Sequence, residues 1–188
     1  MAVPHEPAGY PATSARPARF VPGDVVRVLA LVSILVGTWR SGLVATALFL
    51  LVLGGCMVPR AIGAPAVLDV AYSGTLLVAA WAAQLDWYVS VGWLDVVVHA
   101  AATGLIAVMG LLALRTWSVV GPARSRPESA VLVVGLGAVL AVLWELGEWA
   151  GNELFDPRIQ VGYADTMGDL GAGLAGSLVA AVLVMRRA

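Results

Sequence analysis

The chain has 188 residues, 60% hydrophobic and 12% charged, with a mean hydropathy of +0.89 and a formal net charge of −1. A soluble domain carries roughly 25% charged residues, and half that fraction leaves too little polar surface to face water on every side. A soluble globular domain is therefore excluded, as are a basic surface for nucleic acid and, with Cys56 as the only cysteine, an intrachain disulfide or a cysteine-based metal site.

Residues 1–23 contain Pro4, Pro7, Pro11, Pro17 and Pro22 and no apolar stretch of the kind a signal peptide needs. They read as a flexible Pro-rich tail at the membrane surface, and His5 within it carries no evident chemistry. Apolar runs follow at 24–39, 42–58, 66–84, 93–114, 129–150 and 165–185. A helix needs about 20 residues to cross some 30 Å of hydrocarbon, and lipid leaves no partner for backbone polar groups outside a helix or closed barrel. The reading is an all-α polytopic membrane bundle, with six transmembrane helices forming one domain over 24–188. Arg27 shortens the apolar part of the first run. Only Arg40 and Ser41 separate it from the second, so the two predict a tight hairpin. Breaks are expected at Pro59 to Pro65, Asp86 to Gly92, Gly121 to Pro127 and Gly151 to Tyr163, all rich in turn-forming residues.

All 11 basic residues are arginines. With the N-terminus inside, Arg16, Arg19, Arg27, Arg60, Arg115, Arg124, Arg126, Arg186 and Arg187 fall on the cytoplasmic side and only Arg40 and Arg158 outside. The positive-inside rule then places both termini in the cytoplasm of a multi-pass inner-membrane protein. Trp87, Trp93 and Trp149 fall near the outer interface and Trp117 near the inner one. Gly168, Ala172 and Gly176 recur every four residues, a spacing that lets helix backbones approach, and read as packing.

Three of the apolar runs hold ionisable pairs: Asp95 and His99, Glu145 and Glu148, Asp165 and Asp169. Spacings of i,i+3 and i,i+4 put each pair on one helical face. The alternation of direction brings all six to the outer ends of their helices, about 2–10 Å deep at 1.5 Å per residue. Taken singly, Asp95 and Asp165 are equally well read as acids near helix N-termini, where the macrodipole favours them. That reading fails for Glu145 and Glu148, which sit near a C-terminus. Asp69 reads as a helix-terminus residue without a partner. A charged group at mid-membrane costs at least about 2.5–3.5 kcal/mol, somewhat less near an interface, and five carboxylates at one depth repel. Either several share protons, or a cation sits among them. One imidazole with several carboxylates is a ligand set for zinc, manganese or iron.

The elements Asp95-x3-His99, Trp144-Glu145-x2-Glu148-Trp149 and Asp165-x3-Asp169 with Gly176 behind them resemble the YjdF-like family of uncharacterised bacterial inner-membrane proteins. They are more distantly similar to VanZ-like membrane proteins linked to glycopeptide resistance. The resemblance covers about residues 66–185 and implies a polytopic inner-membrane protein without a settled reaction. Where that family often has Asn three or four residues after the final Asp, this chain has Ala172 and Gly173.

The expected function is a metal-dependent enzyme acting near the outer leaflet on a lipid or lipid-linked substrate. Its divalent cation would be held among Asp95, His99, Glu145, Glu148, Asp165 and Asp169, with Glu148 or Asp165 as general base. The alternatives are an ion- or proton-coupled transporter and a non-catalytic envelope protein. Membrane lipid is the expected partner, and self-association is compatible with the sequence.

Overall fold

The computed structural model describes residues 19–187. The expected flexible tail and His5 fall almost wholly outside the described residues. Six α-helices follow in order: α1 (Gly23–Ile62), α2 (Ala66–Gln84), α3 (Trp87–Ser90), α4 (Gly92–Thr116), α5 (Arg126–Leu154) and α6 (Tyr163–Arg187). There is no strand among the described residues. All but α3 are long and apolar enough to cross a membrane, so the chain is an all-helical, multi-pass membrane protein.

α1 spans 40 residues but is not one rod. Its backbone breaks at Gly42 (φ 74°, ψ −151°), a conformation essentially confined to glycine. The two arms fold back on each other. Thr38 and Thr46 share a hydroxyl–hydroxyl hydrogen bond of 2.7 Å beside the turn, and Phe49 packs over Gly37. At the far ends, Arg60 pairs with Asp24 at 3.3 Å. The hairpin expected around Arg40 and Ser41 is therefore present, as two antiparallel arms of the first of five long apolar helices.

The sequence expectation needs correction at four places, one of them the break expected from Gly151, which α5 passes to end at Leu154. The expected break at Pro59 comes too early: α1 runs through it to Ile62 and stops where Gly63 takes the left-handed conformation (φ 65°), the Gly63 and Ala64 amides both donating to the Pro59 carbonyl. The stretch Asp86 to Gly92 is not plain loop, because Asp86 turns left-handed (φ 54°) and launches α3. Asp69 does have a partner. It is 2% exposed and accepts from Arg27 Nη2 at 2.8 Å and from Ser73 Oγ at 3.1 Å. Arg27 also donates to the Cys56 carbonyl (2.8 Å) and to Asp24 (3.1 Å), so its guanidinium ties both arms of α1 to α2. The residue that shortens the first apolar run is thus a buried structural cation.

Packing divides the helices into two groups. Ala30, Ala45, Phe49, Val52, Cys56, Leu77 and Ala80 form the core of α1 and α2, where Trp81 packs on Phe49 and donates to Ser33 Oγ at 2.9 Å. Ala107, Leu111, Val133 and Ala181 form the core of α4, α5 and α6. The groups meet where α4 packs on α2 and, more slightly, on α1, while α5 and α6 touch neither.

Within the second group α4 and α6 lie backbone to backbone. A side chain on Gly104 would meet the Gly176 carbonyl at 2.7 Å, and one on Gly176 would run into the Ala100 carbonyl. Ala172 is buried with them, but Gly168 faces open space and takes no part in the contact. A side chain on Gly173 would meet Thr103 Oγ1 at 2.9 Å. This contact gives a packing reason for the small residues that stand where the resembling family often has Asn.

Candidate metal centre

The six ionisable residues gather at one end of the second helix group. Asp95 and His99 stand in the first two turns of α4, and Asp165 and Asp169 in the first two of α6. Glu145 and Glu148 approach the end of α5 from the other direction. The antiparallel order α4, α5, α6 puts these stretches at one level, and the glycine contact between α4 and α6 draws the first and third together.

Three of the six form a compact group. One ligand atom each from Asp95, His99 and Asp169 lie within 4.8 Å of one another. The nitrogen and oxygen ligands of a tetrahedral cation held at about 2.0–2.2 Å lie roughly 3.3–3.6 Å from one another. Side-chain rotations would have to draw the group inward to close on an ion. The imidazole stands between the two carboxylates: Nε2 is 3.4 Å from Asp95 Oδ1 and Nδ1 is 3.7 Å from Asp169 Oδ1. One nitrogen can take a metal while the other, as N–H, is oriented by the opposite carboxylate.

Asp169 is the most telling member. Only 7% of its side chain is exposed, and the His99 nitrogen it faces is too distant for a hydrogen bond. No hydrogen bond to its oxygens is found among the described residues, yet they are not fully shut off from solvent, so a cation, a proton or water can join it.

Glu145, Glu148 and Asp165 do not enter the compact group but surround it. Glu145 lies against the Thr166 hydroxyl of α6, within electrostatic reach of Asp95, His99 and Asp165. Glu148 is within reach of Glu145, Asp169, Asp165 and Asp95. The sequence reading overlooked Tyr88. It is half-buried on α3, donates to the Ala79 carbonyl at 3.2 Å, and sets its phenol near Asp95, Glu148 and Asp169. Burial first, then those carboxylates, push the phenol above its usual range. No spacing signal marks Tyr88, and α3, which carries it, was read as loop. Asn152, also overlooked, donates to the Pro157 and Ile159 carbonyls and shapes the loop over the site.

Fold and site together define a multi-pass helical membrane protein with an imidazole-and-carboxylate cluster at one end of a three-helix unit. The family model described as predicted membrane protein (DUF2238) matches residues 24–188, and the chain belongs to that family. This agrees with the resemblance carried by the three motif pairs. No curated protein and no solved structure matches the chain.

Proposed function

We propose that the protein binds one divalent cation between α4 and α6, near the extracytoplasmic face, and uses it in chemistry on a lipid or lipid-linked substrate. The observation that carries this reading is the convergence of one ligand atom each from Asp95, His99 and Asp169 within 4.8 Å, with Asp169 largely buried. His99 and Asp169 are the core ligands, Asp95 a ligand or the group that orients the imidazole, and the outlying carboxylates complete the shell. A bound cation of this type polarises a substrate oxygen or activates water. Glu148 or Asp165, whichever does not bind the cation, would accept the proton.

A transporter is less well supported. Below the site, α4 and α6 touch through Gly104, Gly173 and Gly176, and Ala107, Val133 and Ala181 fill the next layer. Thr103 and Ser177 are the buried polar side chains in this region, and neither is ionisable.

The test is elemental analysis of the detergent-purified protein with melting curves in chelator and after adding back zinc, manganese or iron. Bound metal should raise the melting temperature, because a ligand selective for the folded state stabilises it. The gain should be lost in His99→Ala and Asp169→Asn. Carboxylates must be ionised and the imidazole neutral to hold the cation, so metal should leave on acidification. A proton-sharing cluster predicts the opposite: no response to metal at neutral pH and a higher melting temperature in acid. That result would remove the cation from the proposal.

A further inference from the structure

At the end of the second helix group away from the cluster, α4 stops and α5 starts. Arg115, half-buried in the last turn of α4, donates from Nη2 to Ser129 Oγ in the first turn of α5 at 2.9 Å. Its Nε is shut off from water and has no acceptor among the described residues. A basic side chain in a last turn often caps the final carbonyls. Here the Trp117, Ser118, Val119 and Val120 amides take the Ala113, Arg115 and Leu114 carbonyls instead. Nor does a carboxylate hold the guanidinium. Arg27, Arg60 and Arg158 pair with aspartates at 2.8–3.3 Å, but Arg115 has no such pair among the described residues. Glu128, the acid in the first turn of α5, accepts from the Arg124 amide at 2.9 Å. Three exposed arginines join Arg115 at this end: Arg124 and Arg126 where α5 begins, and Arg186 in the last turn of α6, which packs on both α4 and α5. Trp117, Val119 and Val131 are exposed apolar side chains beside them in the sequence.

We propose that this junction binds the phosphate of an anionic phospholipid, with Arg115 as the donor and Arg124, Arg126 and Arg186 as the surrounding charge. A guanidinium this far from water with part of its donor capacity unmet is costly, and its planar fork matches phosphate oxygens. It also lies against the first turn of α5, the positive end of that helix dipole, where an anion is favoured. Arginines grouped at the ends of membrane helices attract anionic headgroups. A free anion would use the arginines alone. An anion with acyl chains also gains from the exposed apolar side chains, and this decides for a lipid. The site lies roughly 24 Å along α4 from His99, at 1.5 Å per residue, and is independent of the metal reading.

The experiment is a melting curve of the full, delipidated chain in neutral detergent, titrated with dioleoyl phosphatidylglycerol, dioleoyl phosphatidylcholine or inorganic phosphate. Phosphatidylglycerol should raise the melting temperature, because a ligand of the folded state stabilises it, and the other two should not. In Arg115→Gln the half-saturating phosphatidylglycerol concentration should rise about tenfold, the loss expected for a charge-assisted hydrogen bond. Arg158→Gln, at the other end of the helices, should respond as wild type does. Arg124→Gln with Arg126→Gln changes exposed side chains only. It should weaken the response at low salt and leave it nearly unchanged at high salt, where the surrounding charge is screened. That pair tests the site even if Arg115→Gln fails to fold. A purely structural Arg115 predicts a lower melting temperature without lipid and an undiminished response to it, and an undiminished response would overturn the proposal. Equal stabilisation by phosphatidylcholine would overturn headgroup recognition. Equal stabilisation by inorganic phosphate would overturn the lipid as its source.

Discussion

Arg27 and Asp69 bury opposite charges where three helical segments meet, and neither has room to reach water. Removing one partner of such a pair leaves an uncompensated charge, typically at a cost of 3–5 kcal/mol, whereas replacing both with apolar residues of similar size is often neutral. Arg27→Met should accordingly destabilise the protein by about that amount, and Arg27→Met with Asp69→Leu should recover most of it. Unfolding in detergent as a function of denaturant checks this. Equal stability of the single variant and the wild type would show that the pair is not holding the hairpin. The pair was not legible in the sequence because its members lie 42 residues apart, and each alone resembles an ordinary charge near a helix end. The candidate ligands were easier to find, since their i,i+3 and i,i+4 spacings place each pair on one face whatever the packing. Which three of the six come together depends on side-chain directions and on how closely α4 meets α6, and spacing along one helix carries neither.

At the scale of the element, the contact between α4 and α6 is the lever that sets the site. Its backbones meet at Gly104 and Gly176, about a turn beyond His99 and two turns beyond Asp169. Gly176→Ala should push the helices apart, at the roughly 1–3 kcal/mol typical of overpacking, and widen the gap between His99 and Asp169. Gly168→Ala, on the open side of the same helix, should do neither. Melting temperature and metal stoichiometry of the two variants provide the comparison, and identical behaviour would refute the claim that this contact sets the site. The regular four-residue spacing pointed to α6 as a close-packing helix, but the contact uses Ala172, Gly173 and Gly176 rather than Gly168. The choice depends on which way the helix is turned, and in a helix whose face toward lipid is as apolar as the face toward its neighbours, hydrophobicity does not reveal that.

For the whole molecule, the arginine distribution still sets the expected orientation. With Arg27 withdrawn into the core, eight of the nine inner arginines remain against two outside. Both termini should be cytoplasmic, and residues 86–92 and 151–163 extracytoplasmic. Single cysteines introduced in a Cys56→Ala background, treated with a membrane-impermeant reagent from outside, test this: position 89 should react and position 123 should not. The reverse pattern would turn the protein over and move the cluster to the cytoplasmic face. The long apolar helices were legible from hydropathy alone, because the lipid solvent admits few alternatives. The division into two helix groups was not, since every apolar run can pack on any other.

The guanidinium that joins α1 to α2 also bears on how the protein is made. A chain delivered to the bilayer from its N-terminus presents Arg27 two crossings before Asp69 emerges. During that interval its charge has one acidic neighbour on the same arm, Asp24, three residues away and 3.1 Å distant in the finished fold. Asp24 is thus a provisional counter-ion during biogenesis and a minor one afterwards. Its loss should reduce the yield of inserted protein more than the stability of those molecules that complete insertion.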